Sequence, residues 1–160
     1  MTGSEPTLGV GDLDAVLRAS ASFSKTISES DVYLFAGITG DFAPYHVNEQ
    51  FMKERSYGSR VVHGVLTLGF VSTVSTKFWE SVGHCAKGIS AGYDKVRFTH
   101  PVHIGDTLTA SYRVERFEDT TGRFIAIAEV RNQRERVCLT AIHLVKKVDM
   151  EQERERSSGS

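Results

Sequence analysis

Hydrophobic and polar positions change their period midway along the chain. Residues 21–27 alternate, with Ala21, Phe23, Lys25 and Ile27 on one side, which predicts a short strand. Ser28-Glu29-Ser30-Asp31 then has the form of a capping box, and Val32, Phe35 and Ala36 follow at helical spacing before Gly37 and Gly40. Residues 39–45 read as a loop in which Pro44 opposes regular structure. Asn48 suits the cap of a short helix carrying Phe51 and Met52. The longest helical pattern runs from near Val62 to about Glu80. Leu66, Phe70, Val74 and Phe78 recur at every fourth position, and Val65, Leu68 and Val71 widen the stripe. A helix apolar over most of its circumference is expected to be enclosed by other elements.

Beyond that helix the period drops to two. Residues 89–98, 107–117, 123–132 and 137–147 read as strands, separated by turns rich in Gly, Asp, Asn and Pro. Consecutive strands with short connections make an antiparallel meander. A meander and one largely apolar helix imply an α+β domain in which the sheet curls around a central helix. No repeat or linker divides the chain. Residues 1–149 therefore read as one domain and residues 150–160, charged and then Ser/Gly-rich, as a disordered tail; residues 1–6 are polar and read as loose.

Composition narrows the function. The chain has 160 residues, 40% hydrophobic and 24% charged, with a formal net charge of −1. That balance supplies no bulk attraction to nucleic acid or to an anionic membrane. The longest apolar stretch, residues 61–74, is too short to span a bilayer and is interrupted by His63, Ser72 and Thr73. Cys85 and Cys138 have neither disulfide-framework nor zinc spacing, and residues 1–10 lack a signal-peptide pattern, so the expected location is the cytoplasm.

The candidate chemistry lies in residues 35–47, FAGITGDFAPYHV. Asp41 and His46 stand five apart on a segment bracketed by Gly40 and Pro44. A carboxylate and an imidazole turned toward one spot can move protons in both directions near neutral pH. Asp and His also share loops for capping or structural hydrogen bonds. Downstream, Val61-Val62-His63-Gly64-Val65 leads into the long helix. Gly64 in the first turn has an N–H without a helical partner, at the positive end of the helix dipole, open to a carbonyl oxygen. Close packing of helix on sheet calls for Gly equally well. His63 reads first as a structural hydrogen-bonding residue and second as a ligand contact.

Gly40-Asp41-Phe42-Ala43-Pro44-Tyr45-His46, joined to Val62-His63-Gly64, resembles the MaoC-like, (R)-specific enoyl-CoA hydratase family (hydratase 2), whose motif is G-D-x-N-P-[LIV]-H. Gly92-Tyr93, Arg97-Phe98, Pro101-Val102 and Gly105-Asp106 are similar as well, so the resemblance covers residues 10–148. It implies a hot-dog fold, a homodimer or higher homo-oligomer, and hydration of trans-2-enoyl thioesters or dehydration of the 3-hydroxyacyl product. The substrate would be carried on CoA or acyl carrier protein. The resemblance also implies that Asp41 and His46 are the catalytic pair and that the Gly64 N–H receives the thioester oxygen. Ser72 would help order the site, and His63 and Tyr45 are further candidates for touching substrate. Mid-helix, Ser72 serves equally to bond a backbone carbonyl. Ala43 stands where the family has Asn, and Tyr45 where it has an aliphatic residue, so the substrate stays open. The rival readings are a hot-dog thioesterase and a non-catalytic subunit that binds acyl thioesters.

No cofactor and no metal is expected. His100 and His103 have the spacing of a ligand pair but no third ligand nearby, and read as a turn. Phe78 and Trp79 read as core ahead of an acyl tunnel, Cys138 as packing, and His84 and Cys85 as a helix end. Lys87, Lys95 and Arg97 either meet a CoA phosphate or are solvated edge charges. Residues 131–136, RNQRER, read as a charged hairpin turn.

Overall fold

The computed structural model describes residues 10–83 and 88–147. The expectations for residues 1–6, His84, Cys85, Lys87 and residues 150–160 lie outside the described residues. In chain order the elements are α1 (Val10–Arg18), β1 (Ala21–Thr26), α2 (Glu29–Thr39), α3 (Pro44–Val47), α4 (Glu49–Lys53), α5 (Gly64–Ser81), β2 (Gly88–Phe98), β3 (Thr107–Glu118), β4 (Arg123–Arg131) and β5 (Val137–Lys147). The strands form one antiparallel sheet in the order β1-β3-β4-β5-β2. The meander is β3-β4-β5, and the two earlier strands take its two edges.

Two elements differ from expectation. Helix α1 was not foreseen, although Leu13, Val16 and Leu17 have helical spacing; Val16 is fully buried in the core. Pro44 does not merely interrupt a loop. It occupies the first turn of α3, where its missing N–H costs nothing and its fixed φ favours the helix.

Helix α5 packs chiefly on β1 and β3 and then on β4. Phe70, Val71, Val74, Phe78 and Trp79 are buried against them, so Phe78 and Trp79 are core side chains. Phe78 contacts the Trp79 and Tyr112 rings, each with centroids 5.2 Å away. The helix is not enclosed on every side within one chain. Val65 is 59% exposed, and Gly69, Ser72, Thr73 and Thr76 are exposed as well. One curled sheet covers one side of a helix, so an all-round apolar pattern overstates what a single chain can bury.

The concave face of the sheet holds a buried polar chain. Ala126 and Ala128 on β4 are paired with His143 and Ala141 on β5, and with Val114 and Tyr112 on β3. Their small side chains let Tyr112 and His143 meet across the intervening strand. The Tyr112 hydroxyl is hydrogen-bonded to His143 Nδ1 at 3.0 Å, and His143 Nε2 to Ser90 Oγ at 2.9 Å. Tyr93 stacks on the imidazole with centroids 4.4 Å apart. Burial pushes His143 down to about 4 and Tyr112 up to about 12.

His143 has a consequence for stability. Its folded value is depressed relative to the unfolded one, near 6.5. Between those two values the unfolded chain binds a proton that the folded chain refuses, so stability falls as pH drops through that window. The expected loss is on the order of 2–3 kcal/mol. Urea unfolding at pH 7 and pH 5 should show it in the wild type and show a flatter dependence in His143→Gln. Equal slopes in the two proteins would contradict the assignment.

Candidate active site

The site is built where α2 ends and α5 begins. At the start of α2, Ser28 and Asp31 form the expected capping box. At its end Gly40 adopts φ 78° and donates its N–H to the Ala36 carbonyl at 2.8 Å. That left-handed residue, accessible to Gly without penalty, turns the chain out of the helix just before Asp41. The Asp41 carboxylate accepts the Ala43 N–H at 3.2 Å, and its own N–H donates to Thr39 Oγ1 at 3.3 Å.

Ala43 occupies the N-cap of α3 and offers no side-chain cap. An Asn in its place could accept one of the free N–H groups of that turn. Its absence removes a contribution typically of about 1 kcal/mol. His46 nevertheless sits in the short helix, its N–H donating to the Ala43 carbonyl at 2.9 Å.

Segment 61–64 ties both candidate catalytic residues together. The Val61 carbonyl accepts from His46 Nδ1 at 2.6 Å, and the Val61 N–H donates to the Tyr45 carbonyl at 3.0 Å. His63 Nε2–H donates to the backbone carbonyl of Asp41 at 3.0 Å. The His46 and His63 rings stack with centroids 3.8 Å apart. Each carbonyl can only accept, so His46 carries hydrogen on Nδ1 and presents Nε2 as the acceptor, and His63 carries hydrogen on Nε2. His63 is buried, and its Nδ1 meets no partner among the described residues.

Asp41, His46 and His63 each bring one nitrogen or carboxylate oxygen to within 4.8 Å of the others. Such a set is also a possible divalent-cation ligand group, which sequence spacing did not suggest. All three members are engaged in the backbone bonds above.

Gly64 is the first residue of α5, and the N-cap residue His63 makes no side-chain bond to the helix N–H groups. The Phe98 ring lies so close that a Cβ on Gly64 would stand 3.0 Å from it. Close packing at Gly64 is therefore present, and its N–H is not consumed within the helix. A cavity of about 340 Å³ opens beside Gly64, walled by Val61, Val62, Thr67, Phe98 and Val102.

Tyr45 is 53% exposed and stands edge-on to His46, with centroids 6.0 Å apart. Ser72 is exposed and does not join the cluster. The mid-helix hydroxyls that bond back to carbonyls are those of Thr73 and Thr76. His103 has a structural role, its Nδ1 lying 2.9 Å from Ser59 Oγ and 3.1 Å from the Arg60 carbonyl. With Val62 N–H donating to the Val102 carbonyl at 2.8 Å, the 101–106 turn holds segment 61–64 from behind. Lys95 and Arg97 are exposed on β2.

Sequence reasoning missed Arg60. Its guanidinium meets Glu29 at 2.7 Å and Glu49 at 3.0 Å, with only 14% of the side chain exposed. It joins the starts of α2 and α4 and so frames the loop that carries Asp41 and His46. A solitary Arg gives no spacing signal by which this could be found.

Proteins of similar sequence and fold are known. An (R)-specific enoyl-CoA hydratase of Rhodospirillum rubrum is 44% identical over 97 residues, covering 59% of this chain and 62% of that protein. A 3-hydroxybutyryl-CoA dehydratase of Methylorubrum extorquens is 38% identical over 92 residues, covering 56% of this chain and 54% of that protein. The matches thus span less than two thirds of either relative. The solved (R)-hydratase from A. caviae involved in PHA biosynthesis has a TM-score of 0.71 at 23% identity, over 80% of this chain and 93% of that one. That likeness establishes the hot-dog fold. Residues 17–135 match the MaoC-like domain family, and with the G-D-x-x-P-x-H segment seated against the head of the central helix, the chain belongs to that family.

Proposed function

We propose that the protein is an (R)-specific hydratase of trans-2-enoyl thioesters, also able to dehydrate the 3-hydroxyacyl product. The observation that carries this reading is the convergence of Asp41 and His46 on segment 61–64, with the His46 tautomer leaving Nε2 as a base. In the hydration direction Asp41 and His46 hold a water against the β-carbon. His46 Nε2 accepts its proton as the oxygen bonds to that carbon. The displaced electron pair moves to the thioester oxygen, and the resulting enolate is stabilised by the Gly64 N–H at the positive end of α5. The Asp41/His46 pair then returns the proton to the α-carbon, so one water is consumed and the site is restored. His63 steadies Asp41 through its backbone carbonyl, and Tyr45 stands edge-on to His46. Ser72, exposed on one chain, has no place in this scheme.

A panel of trans-2-enoyl-CoA and 3-hydroxyacyl-CoA thioesters tests the reading. Hydration is followed by loss of enoyl absorbance, and product configuration is determined. The expected product is the (R)-3-hydroxyacyl thioester. Release of free thiol from saturated acyl-CoA, or no turnover of any enoyl thioester, would overturn it.

The same reading includes a homodimer. No described strand pairs with the outer edge of β2, and Ile89 and Phe98 on that strand are 56% and 54% exposed. An edge of this length with apolar side chains calls for a covering partner. Light scattering should return twice the chain mass, and Ile89→Lys should shift it toward one; a monomeric wild type would refute the dimer. Among the described residues no helix is long and apolar enough to cross a membrane. A cytoplasmic location belongs to the proposal, supported by cysteines without disulfide spacing.

A further inference from the structure

Two carboxylates and a phenol, all from the elements around Asp41 and His46, converge on one guanidinium. Arg60 Nη2 donates to Glu29 Oε1 at 2.7 Å, Nε to Glu49 Oε2 at 3.0 Å and Nη1 to the Tyr33 hydroxyl at 3.3 Å. The Tyr33 hydroxyl donates in turn to the Val47 carbonyl at 3.3 Å. Glu29 and Tyr33 lie on α2, Val47 closes α3 and Glu49 opens α4. The chain carrying Asp41 and His46 therefore runs between anchors held by the same side chain.

The backbone of Arg60 is fixed as well. Its N–H approaches Glu49 Oε2 at 3.4 Å, and its carbonyl lies 3.1 Å from His103 Nδ1. The next residue is Val61, whose N–H meets the Tyr45 carbonyl and whose carbonyl accepts from His46 Nδ1. His46 and its acceptor thus stand on two separate segments of chain, and Arg60 joins them. The Arg60 side chain is 14% exposed, whereas Glu29 and Glu49 are 57% and 41% exposed. Ion pairs with such open partners contribute little stability. Their value here is geometric. A planar fork sets the direction and distance of two acids at once, and without it two like charges share the gap.

We propose that Arg60 is a positioning residue for the proton transfer, holding the α2–α4 segment against Val61 so that His46 keeps its hydrogen on Nδ1 and offers Nε2 to the reacting water. The effect on turnover rests on the hydratase reading; the hold on the tautomer does not. Without a fixed acceptor the imidazole populates both tautomers, and a ring with hydrogen on Nε2 has no lone pair for the water. A misplacement of about 1 Å can cost roughly 10²-fold in rate, so a loosened segment should cost at least about tenfold.

The test pairs kinetics with nitrogen-15 NMR of the histidine rings, the His46 signals being assigned by their absence from His46→Gln. Arg60→Met should lower kcat for crotonyl-CoA hydration at least about tenfold with little change in KM. The neutral His46 ring should move from Nδ1–H toward a mixture with Nε2–H. Arg60→Lys, which keeps the charge without the fork, should fall between the two. Glu49→Gln should move both readouts the same way by less, and decides the matter if Arg60→Met does not fold. The control is Arg116→Met. Arg116 also bridges two acids, Glu115 at 3.1 Å and Glu118 at 2.8 Å, but on exposed β3, and its loss should leave both readouts unchanged. An unshifted His46 tautomer in folded Arg60→Met, or an equal response in Arg116→Met, would overturn the proposal. If the wild type hydrates no thioester, the reaction is wrong, and the NMR readout alone still decides whether Arg60 holds His46.

Discussion

His46→Gln is expected to lower kcat for crotonyl-CoA hydration by about 10²- to 10⁴-fold, the usual worth of a positioned general base. The substitution is chosen for what it keeps. A Gln amide N–H can still reach toward the Val61 carbonyl that His46 Nδ1 meets at 2.6 Å, so the helix-to-segment tie has a substitute. What it lacks is the basic lone pair of Nε2. Asp41→Asn is the companion. Its remaining oxygen can accept the Ala43 N–H at 3.2 Å as the carboxylate does, while the charge is gone. Because the two residues handle one proton between them, the double variant should be little worse than the more damaged single one. Steady-state kinetics with melting temperatures decides the matter. Wild-type turnover in both folded single variants would show that the proton moves elsewhere.

Gly64→Pro is expected to cost about 2.7–4 kcal/mol of barrier, roughly 10²–10³ in kcat, the loss seen when one oxyanion donor is removed. Proline at this position deletes the N–H without breaking the helix. Gly64 is the first residue of α5, where proline is favoured, and His63 before it has φ −56° and ψ 127°, the extended backbone that precedes proline. Gly64→Ala is the control. It retains the N–H but adds a Cβ 3.0 Å from the Phe98 ring. That ring is 54% exposed and able to give way, so the Ala variant should fold and lose less activity. The Pro-to-Ala difference isolates the N–H from the bulk. Equal losses would show that Gly64 serves close packing alone.

Much of the site was legible because it is local. The capping box at Ser28, the turn at Gly40 and the Asp41–His46 spacing each depend on residues within one or two turns of each other. The observed strands lie within a residue of the alternating runs, since period-two patterning follows directly from having one face buried. The short helix at Pro44 was misread because a proline within a loop and a proline opening a helix have the same local sequence. The Arg60 bridge had no signal, because Glu29 and Glu49 are its partners only after α2 and α4 have packed.

Sequence by itself determined the meander, the central helix, and the placing of one carboxylate and one imidazole on a short bracketed segment. Tertiary structure alone decided what these groups can do. The tautomer of His46 depends on the Val61 carbonyl, fifteen residues away, and the orientation of Asp41 on a histidine that begins a different helix. Local patterning records which face of an element is buried; it does not record which distant carbonyl accepts a proton's hydrogen bond or which charges are left unpaired. For Asp41 and His46, that difference separates an ordinary structural pair from a proton-transfer site.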